Sequence, residues 1–437
     1  MQISTIMSNC SGIAIQQAFE RVVRNQIPNK RWLGPRNYYR RDTVRRMDAE
    51  TTVTYRKRQV EEYIAGSVII HSSDGWGYLT RSIDCLLNGD IPSAIHFAYY
   101  AELRSAMSLM AYDGVGVFNR KHIYFDALRN GTVFGGYTTH SAVDKGMKAF
   151  ANLSSKKEGI FKLLKVQNHT IADWIRETNV SSQSKYSASV INRWLKKWSI
   201  DLHLYDDQQL RNEMSYRPHF ISSPINLQLT VNKLIDIWEL LEPTAGNRFP
   251  KLDRHLLRIG LEEIYQRNTG LYPTGSNYET FIGNIFGRLG EPITQLLYKF
   301  LLRQVDPNDA LLFTEAKGDR ANIHSNISDP FPIICRAILL LRLSTGAANQ
   351  LICDSTLDIE KMRFWWEDIS LHHGFTASIP SEIDAIDLYS DIRDSITEIS
   401  SMSAGSLLNI KDSFGNVSRS LFFIKQFQRA CIWGIGL

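Results

Sequence analysis

The chain has 437 residues, 43% of them hydrophobic and 22% charged, with a formal charge of +5; it is long enough for two or three domains with buried cores, and this balance excludes disorder throughout. Cys10, Cys85, Cys335, Cys353 and Cys431 are scattered without CxxC spacing, which argues against a disulfide framework or a structural zinc site and for a reducing, cytoplasmic setting. The opening residues lack a basic start and a continuous apolar run, so no secretory signal is expected there.

Residues 1–58 form a basic N-terminal segment. Twelve Lys or Arg and three acidic residues stand between Arg21 and Arg58, and the rest of the chain is slightly acidic. Arg31, Arg36, Arg40, Arg41, Arg45, Arg46, Arg56, Lys57 and Arg58 are interleaved with Trp32, Tyr38, Tyr39 and Tyr55. Guanidinium groups hold phosphates and rings stack on bases, so this composition predicts contact with RNA or single-stranded DNA. The alternatives are a solvated surface, or an arm packed on an acidic face of its own fold or of a partner. Residues 382–398, with six carboxylates and one arginine, would supply such a face.

Helical periodicity dominates from about residue 57. Tyr78, Leu79, Ser82, Ile83, Leu86 and Leu87 share one face before "NGD" ends the run, and "GWG" at 75–77 reads as a helix stop. The next helix opens at Asp90 with Pro92 in its first turn; Ile95, Tyr99, Leu103, Ala106, Met107 and Met110 face one way, and Gly114 and Gly116 stop it. "GVGVF" at 114–118 reads as a turn. Thr170 with Asp173 makes a capping box, and "SASVINRWLKKW" reads as a short amphipathic helix. Pro218 and "FISSPIN" predict a boundary between helical domains at 59–222 and 223–437. Beyond it, Leu227, Val231, Leu234, Ile235, Trp238 and Leu241 form a stripe, with further helices expected at 251–267, 279–303, 331–345, 359–371, 381–402 and 417–434. Ile333–Leu343 is interrupted by Arg336 and too short to span a bilayer, so it reads as a core helix and no membrane contact is expected. The fold class is mainly α.

No GxxxxGK[ST], HExxH or GxSxG is present, and His372 and His373 are adjacent, so in a helix they diverge; neither a metal site nor a cofactor is expected. A helix with paired tyrosines, "SAIHFAYYAELRSAMSLMAYDGVGVFNRKH", and a later helix carrying Arg-Asn in "QQLRNEMSYRPHF" resemble the HEPN superfamily of helical bundles over about residues 60–220. The resemblance implies a HEPN-like bundle, a homo-oligomer or protein complex, and a nucleic-acid-binding role in a prokaryotic antiviral or toxin system, with metal-independent ribonuclease activity in its catalytic form. The competing reading is a non-enzymatic helical scaffold that assembles with protein partners.

The family's nuclease motif is an arginine, usually followed by a polar residue, and a histidine after a short spacer. Arg211 and Asn212 match it; His219 follows after seven residues, a longer interval than the motif's, with Pro218 inside it. Arg248 to His255 keeps the spacing, but Phe249 follows the arginine and Pro250 interrupts it, so it is set aside as accidental. In RNA cleavage a histidine moves the 2′-hydroxyl proton while arginine holds phosphate oxygens. Glu102, alone in an apolar helix, is expected to pair with a base such as Arg211, and His122 in "NRKH" to reach a phosphate; both join the catalytic candidates. The bland alternative is that Arg211 and Asn212 cap or cross-link helices, with Tyr216 buried against Trp194 or Trp198.

Overall fold

The computed structural model describes residues 1–153, 159–181, 204–216, 226–290, 292, 294–317, 329–355, 357–372, 374–375, 384–401 and 418–436. The architecture is mainly α, as expected. Helices α1 (Ile3–Asn9), α2 (Ile13–Asn25) and α3 (Thr43–Asp48) precede a long hairpin of α4 (Lys57–Leu87) and α5 (Ile91–Tyr112). A three-stranded antiparallel sheet follows, β1 (Val115–Gly116), β2 (Lys121–Phe125) and β3 (Gly131–Gly135), in that order. Then come α6 (Thr139–Asn152), the small hairpin β4 (Lys165–Val166) and β5 (His169–Thr170), α7 (Ile171–Arg176) and α8 (Leu204–Tyr216). The remainder holds α9 (Leu227–Glu239), α10 (Pro250–Thr269), α11 (Gly275–Leu289), α12 (Gln295–Leu301), α13 (Leu311–Ala316), α14 (Phe331–Asp354), α15 (Arg363–His372), α16 (Ala385–Ser401) and α17 (Arg429–Gly436).

The predicted caps form. Asp90 accepts a hydrogen bond from the Ser93 N–H at 3.2 Å, and Thr170 and Asp173 close a reciprocal capping box. Gly114, at φ +92°, ends α5 in the left-handed region. Two expectations need correction. "GWG" is no stop: α4 runs through it, because Gly75 lies where Leu341 of α14 and Ser105 of α5 press against the helix. "GVGVF" is no plain turn: Val115 and Gly116 pair with Tyr124 and Ile123 of β2. That sheet is concealed in the sequence because β2 is buried on both faces after its first residue, which removes the alternation that announces a strand.

The core centres on α14, apolar and buried nearly from end to end. By length and hydropathy it would pass for a membrane span, yet 94% of its most apolar window is buried inside the fold. It packs on α4 and α5 together. Polar contacts set the register: Trp76 Nε1 donates to Thr345 Oγ1 at 2.9 Å, and the Ser72 and Ser344 hydroxyls meet at 3.2 Å. The central helix of the first half's bundle comes from the second half, and the buried apolar side chains join in one cluster. Residues 217–225, which hold the expected break, lie outside the described residues.

A Cβ on Gly75 would stand 2.8 Å from Leu341 Cδ2 and 3.1 Å from Ser105 Oγ, whereas one on Gly77 would meet nothing closer than 3.5 Å. Gly75→Ala is expected to lower stability by about 1–3 kcal/mol through overpacking. Gly77→Ala is expected to raise it by up to about 1 kcal/mol through helix propensity. Urea unfolding of the two variants beside the parent checks both signs.

Candidate functional site

The antiparallel α4–α5 hairpin sets Tyr63, Ser67 and His71, four residues apart on α4, against Tyr100, Arg104 and Met107 on α5. Between them opens a cavity of about 370 Å³, closed by Thr43 and Val44 at the start of α3, Phe118 and Asn119 beyond β1, and Thr139 and His140 on α6. Arg104 Nη1 donates to His71 Nδ1 at 3.2 Å and its Nε stands 3.9 Å from Asp74. Burial, and then the Arg104 charge, push the His71 imidazole down to about 3, so it is an uncharged acceptor at neutral pH.

A second cluster continues from Tyr100. The Arg211 guanidinium of α8 lies 5.4 Å from the Tyr99 ring and 5.5 Å from the Tyr100 ring. His96 flanks Tyr100 on one side at 5.0 Å between centroids and His140 on the other at 6.4 Å. His140 Nδ1 and the Tyr99 hydroxyl share a 2.6 Å hydrogen bond; His96 Nδ1 and the Ser215 hydroxyl share one of 3.1 Å. Burial and then Arg211 hold both imidazoles below their ordinary pKa. Tyr78 extends the aromatic surface, stacking on Phe97 and Tyr100, with Arg81 5.7 Å above its ring. Two uncharged histidines thus face one arginine at the end of an aromatic groove.

Of the expected catalytic residues, Arg211 is brought into this cluster, its Nε buried and without a hydrogen-bond partner among the described residues. Asn212 is half-buried beside it, and Tyr216 is 80% exposed, so it is no core residue. His219, with Trp194 and Trp198, lies outside the described residues. Glu102 does not pair with Arg211. It is buried to 1% exposure, its carboxylate 3.5 Å from Arg336 Nε, and Arg336 in turn grips Asp207 of α8 through Nη2 at 2.6 Å. Burial and then the Asp207 charge push the Glu102 pKa upward, against the pull of Arg336, and its burial makes it a core residue. His122 is corrected too. It lies in β2, wholly buried; its Nδ1 accepts from the Phe118 N–H at 3.1 Å and its Nε2 meets the Tyr137 carbonyl at 3.2 Å, so both ring nitrogens serve the fold.

The basic segment keeps its charges outward and its rings inward. Arg36, Arg40, Arg41, Arg45, Arg56, Lys57 and Arg58 are exposed, Arg31 and Arg46 half-buried. Arg45 pairs with Asp42 and Arg58 with Glu62, while Arg36, Arg40, Arg41, Arg56 and Lys57 have no carboxylate partner among the described residues. None of the nine pairs with the acidic face at 384–398 among the described residues. Trp32 packs against Phe19, Phe364 and Trp365, Tyr55 against Phe125, and Tyr39 is buried with its hydroxyl on Glu50. Arg46 and Arg56 cover the Tyr38 ring at 4.4 and 3.9 Å. These aromatics are therefore committed to the fold and not open to bases; what the segment offers is exposed positive charge, beside the cavity edge at Thr43 and Val44.

His96, His140, His71 and Arg104 do not stand out as site residues in the sequence. A signal is there: His96, Tyr100 and Arg104 recur every fourth residue in an otherwise apolar helix. Among the described residues no group of three or more His, Cys, Asp or Glu is placed to hold a metal ion.

Because the folded-state pKa of Glu102 is raised, its contribution to stability is complete below the unfolded value and is lost as pH rises through the folded one. Glu102→Gln is expected to reduce that loss as pH rises above the unfolded carboxylate value while changing little below it, a difference that urea unfolding across a pH series measures directly. Comparison with family models, with curated proteins and with solved structures finds no match for this chain.

Proposed function

We propose that the chain binds single-stranded RNA along the α4–α5 groove, with the basic segment holding phosphates beside it, and cleaves it by metal-independent acid–base chemistry. One observation carries this reading: His96 and His140, held uncharged, flank Tyr100 beneath the Arg211 guanidinium. An uncharged imidazole can take the 2′-hydroxyl proton as that oxygen attacks phosphorus, and the imidazolium so formed can give that same proton to the departing 5′-oxygen. Arg211 would hold the phosphate oxygens as negative charge develops on them, and Tyr100 and Tyr78 offer faces on which bases can stack. The placement within a HEPN-like family, a prokaryotic antiviral or toxin system, a protein complex and the cytoplasm is supported by the sequence resemblance and cysteine pattern alone.

A second reading, the assembly scaffold, is favoured by a different observation. Arg211 lies on Tyr99 and Tyr100, and Asp207 on the same helix is clamped to Arg336, so the polar side of α8 also serves as a seam between helices.

Incubating labelled RNA with the full chain in EDTA separates the two. The ribonuclease reading expects cleavage, lowered about 100-fold or more in His140→Ala, the usual worth of a general acid or base. Arg211 depresses both histidines, so Arg211→Ala is expected to move the acid limb of the pH–rate profile upward as well as lowering the rate. A helix seam would not shift a pH profile. Absence of cleavage with circular dichroism unchanged favours the scaffold.

For binding, Arg36, Arg40, Arg41 and Arg45 replaced together by Ala are expected to weaken RNA affinity and flatten its salt dependence by about 0.7 log units per log unit of salt for each phosphate left without its cation. Unchanged affinity in the folded variant would remove the segment from the RNA path.

A further inference from the structure

A separate cationic site lies where α14 meets the turn at 246–248, the approach to β4, and α17. Arg248, Arg342, Lys162 and Lys165 line a cavity of about 90 Å³, and no carboxylate lines it. Arg342 is neutralised by Asp253, which it grips through Nε at 2.7 Å and Nη2 at 2.6 Å. Arg248 has no such partner: its Nε donates to the Trp433 carbonyl at 3.0 Å, and no carboxylate reaches it among the described residues. The Arg248 guanidinium is half-buried, and a partly desolvated cation of this kind gains from a charge-assisted hydrogen bond to an anion.

The walls are built to keep that space. A Cβ on Gly346 would stand 2.8 Å from the Leu163 carbonyl and 3.0 Å from Arg342 Nη1, and one on Gly434 would strike Thr345 and Phe249. Side chains there would force the loop away from α14. Lys162, Lys165 and Gln350 also line an adjoining cleft of about 490 Å³, whose other walls include Tyr112, Thr170, the paired Asp173 and Arg176, and Asp354. The small cavity suits a tetrahedral oxyanion and the cleft a larger, partly polar body.

We propose that this cavity binds the phosphate of a small phosphomonoester, with Arg248 and Lys165 as its charged contacts and the rest of the ligand in the adjoining cleft. The site is independent of the RNA groove.

Calorimetric titration of the full chain at constant ionic strength would use inorganic phosphate, ribose 5-phosphate, adenosine 5′-monophosphate and the unphosphorylated ribose and adenosine. Phosphate is expected to bind, at least one phosphomonoester more tightly, and the unphosphorylated compounds not at all. Arg248→Met is expected to weaken binding roughly tenfold or more, the worth of a charge-assisted hydrogen bond, and Lys165→Gln by less. Arg211→Ala should leave it unchanged, which separates this site from the RNA groove. No phosphate binding, no phosphomonoester tighter than phosphate, or loss in Arg211→Ala instead of Arg248→Met would each overturn the proposal. Should Arg248→Met not fold, Lys165→Gln decides, since Lys165 is exposed; wild-type affinity there overturns it equally.

Discussion

The Arg336 guanidinium sits in the second turn of the long buried helix α14, and the arrangement around the groove depends on how its charge is met. Its Nη2 and Nε reach the two Asp207 oxygens at 2.6 and 3.1 Å, and Nη1 donates to the Ala316 carbonyl. Glu102 of α5 completes the surroundings. A buried pair of this kind adds little over an apolar replacement, but losing one partner costs about 3–5 kcal/mol because a charge is then stranded. Its effect is thus one of specificity. The Asp207–Arg336 clamp ties α8 to α14, and with α8 so docked Arg211 stands over the two tyrosines one helical turn away.

The same accounting of charge explains the histidines. Three imidazoles border the groove, and each has an arginine close by: Arg104 for His71, and Arg211 for His96 and His140. Burial and like charge act together, so the groove presents neutral acceptors among fixed cations. Apolar packing of Tyr99 beneath His140 fixes one of those rings from behind.

Much of the helical framework was legible. Asp90, Thr170 and Gly114 announced helix ends through local hydrogen bonding and backbone geometry, which need no tertiary partner. What failed were residues whose meaning lies in a distant neighbour. Gly75 looks like a stop until Leu341 is placed against it; Trp32 and Tyr39 look available for bases until the helices close over them; Glu102 looks like a partner for Arg211 until Arg336 arrives from the other half of the chain. The site was half visible for the same reason. Arg211 stands out in a polar run, whereas His96 and His140 become partners only once α6 folds against α5.

The place of α14 in the chain has a consequence for synthesis on the ribosome. The α4–α5 hairpin is complete by Tyr112, but the helix that covers its inner face begins at Phe331. At translation rates of about 5–20 residues per second, that face waits roughly ten to forty seconds for its cover. During that interval Ser72, Gly75 and Trp76, which meet α14 in the finished fold, can be sheltered only by neighbours already made, and α14 itself emerges as an apolar rod of near-membrane hydropathy. Late delivery of the central helix makes folding a race between insertion of α14 and capture of two sticky surfaces by other chains.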